Sequence, residues 1–322
     1  MSVLVTGVAG FIGSQVAHAL LARGEEVVGL DNFNTYYDPV LKFARLKPLR
    51  EAKNFTFLEA DVSEREPTLA LADTHPGIDR IVHLAAMPGV RQSILDPYPY
   101  VQTNVMGHLV MLELACRLGG LKHFLYASSS SVYGGNRKMP FAVGDRVDHP
   151  VSVYAATKRA GELLVETYSH VHGLPATGLR YFTVYGPWGR PDMSPYIFAK
   201  AIHGGTTIKL YHMGLVKRDF SYIDDVVAGT LAALDKPPAA SVHRLYNIGA
   251  AESEDIRDVI ALFEQAFGKK AIIELKPGEP GDLQETAADI SETLRDFDWQ
   301  PKVRVQEGIP RFVEWFKTYN GL

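Results

Sequence analysis

Three glycines, Gly7, Gly10 and Gly13, stand between a short apolar run, 2–6, and a segment of helical periodicity, 11–23. A strand, a glycine turn and a helix in that order leave few folds open. The missing side chains let a pyrophosphate approach the backbone N–H groups of a helix N-terminus at the end of a strand. The spacing Gly-x-x-Gly-x-x-Gly differs from the usual Gly-x-Gly-x-x-Gly, so the glycines carry weight through the elements that flank them. A second strand, 26–30, follows and ends at Asp31. A carboxylate at that point accepts both hydroxyls of an adenosine ribose and repels a 2′-phosphate, which argues for NAD over NADP.

The alternation continues through apolar runs at 55–59, 78–84, 123–127 and 174–180, separated by helical stretches of which the longest are about 98–118 and 153–172. Apolar strands spaced by helices predict an α/β fold built on a doubly wound parallel (Rossmann) sheet. Asp61 and Val62 after the third strand are placed to meet an adenine. Leu84, Ala85 and Ala86 after the fourth keep side chains small where a dinucleotide passes. From about residue 174 the pattern changes. The run 181–191 is loop-like, and beyond it helices and short strands no longer alternate: 194–203, 206–211, 219–222, 224–235, 245–248, 253–267, 271–275 and 305–319. The expectation is a dinucleotide domain over 1–178, with 224–250 interleaved into it, and a smaller mixed α/β substrate lobe over most of 179–322, closing on a cleft at the carboxyl ends of the sheet.

Composition excludes several classes. With 46% hydrophobic and 22% charged residues the chain is that of an ordinary soluble domain, and a net charge of −4 offers no global basic field to nucleic acid or an anionic membrane. The single cysteine, Cys116, sits in an apolar helical run and is expected to be buried. Disulfides and cysteine-based zinc sites are therefore excluded, and no His-Glu-x-x-His occurs among the eleven histidines, so no metal is expected. No run of 18 apolar residues occurs, which leads to the expectation of a cytoplasmic protein. Exposed apolar positions on the helices 98–118 and 153–172 are the expected surface of a homodimer.

Chemistry concentrates at Tyr154 and Lys158. Four residues apart on a helix, they present a phenol and an ammonium to one small volume, and a nearby cation favours the phenolate of a group whose ordinary pKa of about 10 makes it a poor base. The four serines Ser128 to Ser131 lie upstream.

Taken together, the glycine turn, Asp31, Ser128–Ser131 leading into Val132-Tyr133-Gly134, Tyr154-x-x-x-Lys158 and Leu179-Arg180-Tyr181-Phe182 resemble the extended short-chain dehydrogenase/reductase superfamily over essentially the whole chain. Within it, the runs 178–193, 217–225 and Pro280-Gly281-Asp282 are similar to those of UDP-glucuronate 4-epimerases. The resemblance implies NAD retained through the cycle by Gly7, Gly10, Phe11, Ile12, Gly13, Asp31, Asn32, Asp61, Val62, Leu84, Ala85, Ala86, Asn104 and Tyr181, together with Tyr154 and Lys158. It implies that Tyr154 takes the proton of the sugar 4-hydroxyl as hydride leaves C4, and that the 4-keto sugar turns about its diphosphate and is reduced on its other face. Lys158 would hold the nicotinamide ribose and lower the Tyr154 pKa, and a serine, Ser129 ahead of Ser130, would hydrogen-bond the 4-oxygen and share the proton relay with Tyr154. The implied substrate shell is Met87, Arg91, Ser129, Ser130, Ser131, Thr183, Arg190, Arg218 and Asp282.

A 4-keto uronate is a β-keto acid and loses CO₂ when its carboxylate bond aligns with the ketone π system, so hydroxyls from Ser129 to Ser131 and Thr183, with charge from Arg190 or Arg91, are expected to hold that bond near the ring plane. Arg218 would grip the diphosphate and Asp282 the uridine ribose. Related dehydratases carry an Asp-Glu pair where this chain has Ser130-Ser131, and decarboxylases usually a glutamate. The rivals left are a UDP-glucose/galactose 4-epimerase, whose counterpart of Thr183 is typically asparagine, a UDP-glucuronate decarboxylase, and a non-catalytic NAD-sensing scaffold, whose like tend to lose the Tyr or the Lys.

Overall fold

The structure, a computed structural model, describes residues 1–278 and 283–322. Seven strands form the main sheet in the order His243–Ile248, Ala176–Tyr181, His123–Ser129, Ile78–His83, Ser2–Thr6, Glu26–Asp31, Phe55–Glu59, every pair parallel. Chain order reverses between Ser2–Thr6 and Ile78–His83, and the connections leaving those strands diverge there to open a crevice. The first strand shows why both faces are covered. Val3 and Val5 pack with Val16, Ala17 and Leu20 of helix Phe11–Ala22, while Leu4 between them packs with Met111 and Leu112 of helix His108–Arg117.

Helix Phe11–Ala22 packs against Val40–Arg50 and Ile223–Leu234, and His108–Arg117 packs against Val153–His172. After Tyr181 the described strands outside the main sheet form three pairs: Thr183–Tyr185 with Phe220–Tyr222, Lys217–Arg218 with Glu254–Asp255, and Thr207–Leu210 with Ile272–Leu275. Helices Ser194–Gly204, Ile256–Phe267 and Val305–Tyr319 form their helical layer, and from this smaller lobe the chain returns to the main sheet as His243–Ile248.

Several expectations are corrected. The helix expected over 98–118 is divided into Tyr98–Val101, a π turn Gln102–Gly107 and His108–Arg117. In the widened turn the buried Asn104 amide accepts the Met87 N–H at 2.7 Å and donates to Met87 O at 3.0 Å and Thr157 Oγ1 at 3.1 Å, joining the helix to the fourth strand's exit loop and to the helix of Tyr154. Cys116 is exposed, because the buried stripe of its helix runs through Val110, Met111, Leu114 and Ala115. Thr183–Tyr185 is a strand inside the run read as loop. Helix Val40–Arg50 was not expected; it starts after Asp38-Pro39, where the Asp38 carboxylate accepts the Val40 N–H at 3.0 Å. Among the described residues no helix is long and apolar enough to cross a membrane, and no group of three His, Cys, Asp or Glu is arranged to hold a metal ion.

Candidate active site

The glycine turn closes on itself through Gly10 N–H to Gly7 O at 2.9 Å, and Gly7 N–H donates to Leu30 O at 2.8 Å. A Cβ on Gly13 would stand 2.1 Å from Gly7 O, and one on Gly7, whose φ is +70°, would stand 2.8 Å from Ala85 N. The helix therefore seats against the turn, and the turn against the fourth strand's exit, only with glycine at both places. Gly10 precedes Phe11–Ala22 and supplies no side-chain cap, so the first helical N–H groups remain available to a ligand. A cleft of about 1300 Å³, open mouth included, lies over this turn. Its walls take in Gly7, Gly10, Phe11, Ile12, Gly13, Asp31, Asn32, Val62, Leu84, Ala85, Ala86, Met87, Tyr154, Lys158, Tyr181 and Arg190 of the residues anticipated from the sequence. Small residues beside orphan N–H donors fit a pyrophosphate.

Asp31 is buried, its two oxygens accepting the N–H groups of Ala9 at 3.1 Å and Phe33 at 2.9 Å. Burial raises its pKa, opposed by Lys42, by those two N–H groups and by Arg45. Lys42, which the sequence reading missed together with its helix, lines the cleft and donates to Asn34 O at 2.7 Å. Asp61 is absent from the described lining although Asn32 and Val62 are in it. Its carboxylate accepts Asn32 Nδ2 at 2.7 Å, and it bonds the Ser63 N–H and hydroxyl at 2.8 and 2.7 Å.

Helix Val153–His172 begins where Ser152 Oγ accepts the Ala155 N–H at 3.1 Å. One turn in, Lys158 lies with Nζ 6.0 Å from the Tyr154 ring centroid and donates to Ala127 O at 3.0 Å. Burial pulls the Lys158 ammonium down to about 8, with Glu162 opposing. Burial likewise pushes the Tyr154 phenol up, while a hydrogen bond from Ser129 and then the Arg190 guanidinium pull it down and Asp192 pushes it up. Arg190, from the strap 186–193 that follows strand Thr183–Tyr185, lines the same cleft as Tyr154, and Lys158 is bonded to a main-chain carbonyl. Ser129 Oγ accepts both the N–H and the hydroxyl of Ser131, at 3.2 and 3.0 Å.

Behind the helix, Glu162 takes Arg180 in two parallel bonds of 2.8 and 2.9 Å and Ser128 Oγ at 2.6 Å, and the Arg180 guanidinium stacks 4.9 Å over the Tyr133 ring. Two buried charges thereby tie the helix of Tyr154 to the ends of the fifth and sixth strands.

The residues anticipated for the substrate are less gathered. Arg190 is in the cleft wall, paired with Asp192 through Nε to Oδ1 at 3.0 Å and Nη2 to Oδ2 at 2.5 Å. Phe182 and Val184 line the cleft and half-buried Thr183 between them does not; Ser129, Ser130, Ser131 and Asn104 are likewise outside the described lining. Arg91 stacks 4.0 Å over the Tyr211 ring. Arg218 donates to the carbonyls of Lys217, Leu283 and Gln284. Asp282 lies outside the described residues.

Comparison with known proteins agrees with this geometry. The model of the NAD dependent epimerase/dehydratase family matches residues 3–249. UDP-glucuronate 4-epimerase 3 of Arabidopsis thaliana is 42% identical over 332 residues, covering 99% of this chain and 77% of the plant protein. A solved UDP-glucuronic acid 4-epimerase from Bacillus cereus, in complex with UDP-glucuronic acid and NAD, superposes with a TM-score of 0.92 at 35% identity, covering 99% of this chain and all of that one. A UDP-glucose 4-epimerase from Thermotoga maritima, solved with UDP-glucose, gives 0.89 at 30% identity over 99% and 100% of the two chains.

Proposed function

The chain belongs to the NAD-dependent epimerase/dehydratase family as a nucleotide-sugar epimerase, and we propose that it interconverts UDP-glucuronate and UDP-galacturonate by epimerisation at C4. One observation supports this reading: Tyr154 and Lys158 stand together in the wall of the cleft that holds the glycine turn and Asp31, and the chain carries Ser130 and Ser131 where related dehydratases and decarboxylases carry a carboxylate. NAD, when bound, would supply the hydride chemistry at C4. Tyr154 takes the proton of the 4-hydroxyl and later gives it back through the Ser129 relay, Lys158 holds the nicotinamide ribose, and the glycine turn with Asp31 and Lys42 holds the remaining dinucleotide. Hydroxyls of Ser129 to Ser131 and Thr183 keep the carboxylate bond near the ring plane, with Arg190 supplying charge. In this reading residues 1–178 and the return 224–250 hold the cofactor, and most of 179–322 forms the UDP-sugar lobe. It includes a cytoplasmic homodimer joined through the two long helices, whose outward residues Tyr98, Val101, Met106 and Leu163 are exposed.

The direct test is to incubate purified protein with UDP-glucuronate, without added NAD, and to follow the sugar by NMR. UDP-galacturonate should accumulate to an equilibrium mixture with no pentose product. Equal or faster turnover of UDP-glucose would replace the uronate reading with that of a neutral hexose.

Two results should accompany it. Because the cycle needs no cofactor exchange and Asp31 is set against a 2′-phosphate, NAD should co-purify and appear on denaturation; NADP in its place, or full activity with no dinucleotide, would overturn the assignment. Thr183→Ala should weaken UDP-glucuronate binding by roughly 1.5–3 kcal/mol, one hydrogen bond to a charged group. The freed carboxylate should also let a UDP-pentose and CO₂ leak from the ketone. Unaltered affinity and no pentose would show that Thr183 is not part of the clamp.

A further inference from the structure

Four segments around the cleft are bonded to one another in a closed ring. Asp31, at the end of the second strand, accepts the Ala9 N–H of the glycine turn at 3.1 Å. Ala9 O in turn accepts Nη1 of Arg45, from helix Val40–Arg50, at 3.3 Å. The same guanidinium donates Nε and Nη2 to Trp188 O at 3.0 and 2.6 Å and Nη2 to Gly189 O at 3.3 Å, so it holds the strap 186–193. Its remaining Nη1 proton goes to the Tyr37 hydroxyl at 2.6 Å. From the strap, Asp192 Oδ2 accepts the Tyr36 hydroxyl at 3.2 Å, and Tyr36 belongs to the segment that follows Asp31, where the ring began. Gly10, Asp31, Tyr36, Tyr37 and Arg190 all line the cleft, so the ring runs around the space that fits a dinucleotide.

The links of the ring are unequal. Ala9, Asp31 and Arg45 are buried, and all five N–H groups of the guanidinium are engaged. The strap is also held from its other side, where the Trp188 indole packs 5.4 Å from the rings of both Trp315 and Tyr319 on helix Val305–Tyr319. By contrast, Tyr36 and Asp192 are joined by one hydrogen bond, and the Asp192 side chain is 26% exposed. Water can replace the phenol there at little cost, whereas opening any other link strands a buried polar group. Asp192 keeps its two-pronged pairing with Arg190 when Tyr36 lets go. We propose that the Tyr36–Asp192 bond is the latch of a clasp on the dinucleotide, with Arg45 as its fixed end, and that NAD leaves only when this latch opens. The inference rests on the reading that one cofactor serves the whole cycle at C4. That cycle returns to C4 the hydride taken from it, so the electron pair must stay in the cleft until the sugar has turned. The glycine turn and Asp31 supply contacts to the cofactor, and the latch supplies its residence time.

The test needs no substrate. Protein loaded with NAD is mixed with an excess of isotope-labelled NAD, desalted at intervals and denatured, and the dinucleotide it held is read by mass spectrometry. Tyr36→Phe, which removes only the hydroxyl, should exchange about tenfold faster than the parent or more, the effect of one lost hydrogen bond to a charged group. Asp192→Asn should also speed exchange, but by a smaller factor in the Tyr36→Phe background than alone, because the two side chains act through one bond. Arg45→Lys, whose ammonium lacks the planar five-donor fork, should free the strap and exchange faster than the parent as well. Unchanged exchange in Tyr36→Phe, or an equal effect of Asp192→Asn in both backgrounds, would overturn the latch. Unchanged exchange in Arg45→Lys would overturn the fixed end, and if that variant does not fold, Tyr36→Phe decides alone. A parent that exchanges its NAD within one turnover would instead defeat the reading of a retained cofactor, while the ratio of variant to parent rates would still report on the latch.

Discussion

Tyr154→Phe is expected to lower turnover roughly 10²- to 10⁴-fold while the protein keeps its dinucleotide. The substitution removes one oxygen and leaves the rest of the residue in place. Its backbone N–H still donates to Ser93 Oγ at 3.0 Å, and its ring still meets that of Tyr100 edge-on. Lys158 keeps its bond to Ala127 O, and the glycine turn and Asp31, proposed to hold the adenosine side, are untouched. The oxygen lost is the one proposed to take and return the substrate proton, so both halves of the proton transfer lose their carrier. Turnover of UDP-glucuronate by NMR, together with dinucleotide released on denaturation, checks both statements. Near-parental kcat would take Tyr154 out of the mechanism, and loss of dinucleotide along with activity would mean that the phenol is needed for binding.

The second large effect is expected on stability. Glu162→Gln should cost about 3–5 kcal/mol, because it leaves the Arg180 guanidinium, 1% exposed, as an uncompensated buried charge. Burial alone would raise the Glu162 carboxyl, but the hydrogen bonds and charge of Arg180, with Ser128 and Arg159, hold it below the ordinary carboxylate range. A carboxyl whose folded pKa is depressed contributes stability that is fully present above its unfolded pKa and is lost as pH falls through the folded value. The parent should therefore lose part of its stability in that acid window, and Glu162→Gln should lack this component. Denaturant unfolding across pH measures both effects. Adding Arg180→Met to Glu162→Gln should recover part of the loss, since a buried pair replaced on both sides by neutral groups leaves no orphan charge. Equal stability of parent and Glu162→Gln would show that the pair contributes nothing net.

Much of this architecture is legible along the chain because it depends on periodicity and on short-range backbone geometry. The alternation of Val3, Leu4 and Val5 fixes a strand buried on both faces, the spacing of Gly7, Gly10 and Gly13 fixes a turn with no room for Cβ atoms, and the four-residue interval from Tyr154 to Lys158 fixes a shared helical face. These are properties of neighbours, and no distant contact is needed to state them. Helix Val40–Arg50 belongs to the same class. Its Asp38-Pro39 start was a readable signal, and with it Lys42 could have been placed beside Asp31.

What the tertiary structure alone decides is which separated residues share one small volume. Periodicity puts Lys158 on the face of Tyr154, yet it does not say that the ammonium turns to Ala127 O or that Arg190 of the strap enters the wall of the same cleft. Nor does it say that Arg45 reaches across to Trp188 O, that a π turn aims Asn104 at Met87, or which flank of an apolar helix leaves Cys116 in solvent. Long side chains span several ångströms through space, and their partners are chosen by the packing of elements far apart in sequence. A local pattern supplies the candidates for the site, and the folding of the strap and helices onto the sheet decides which of them meet.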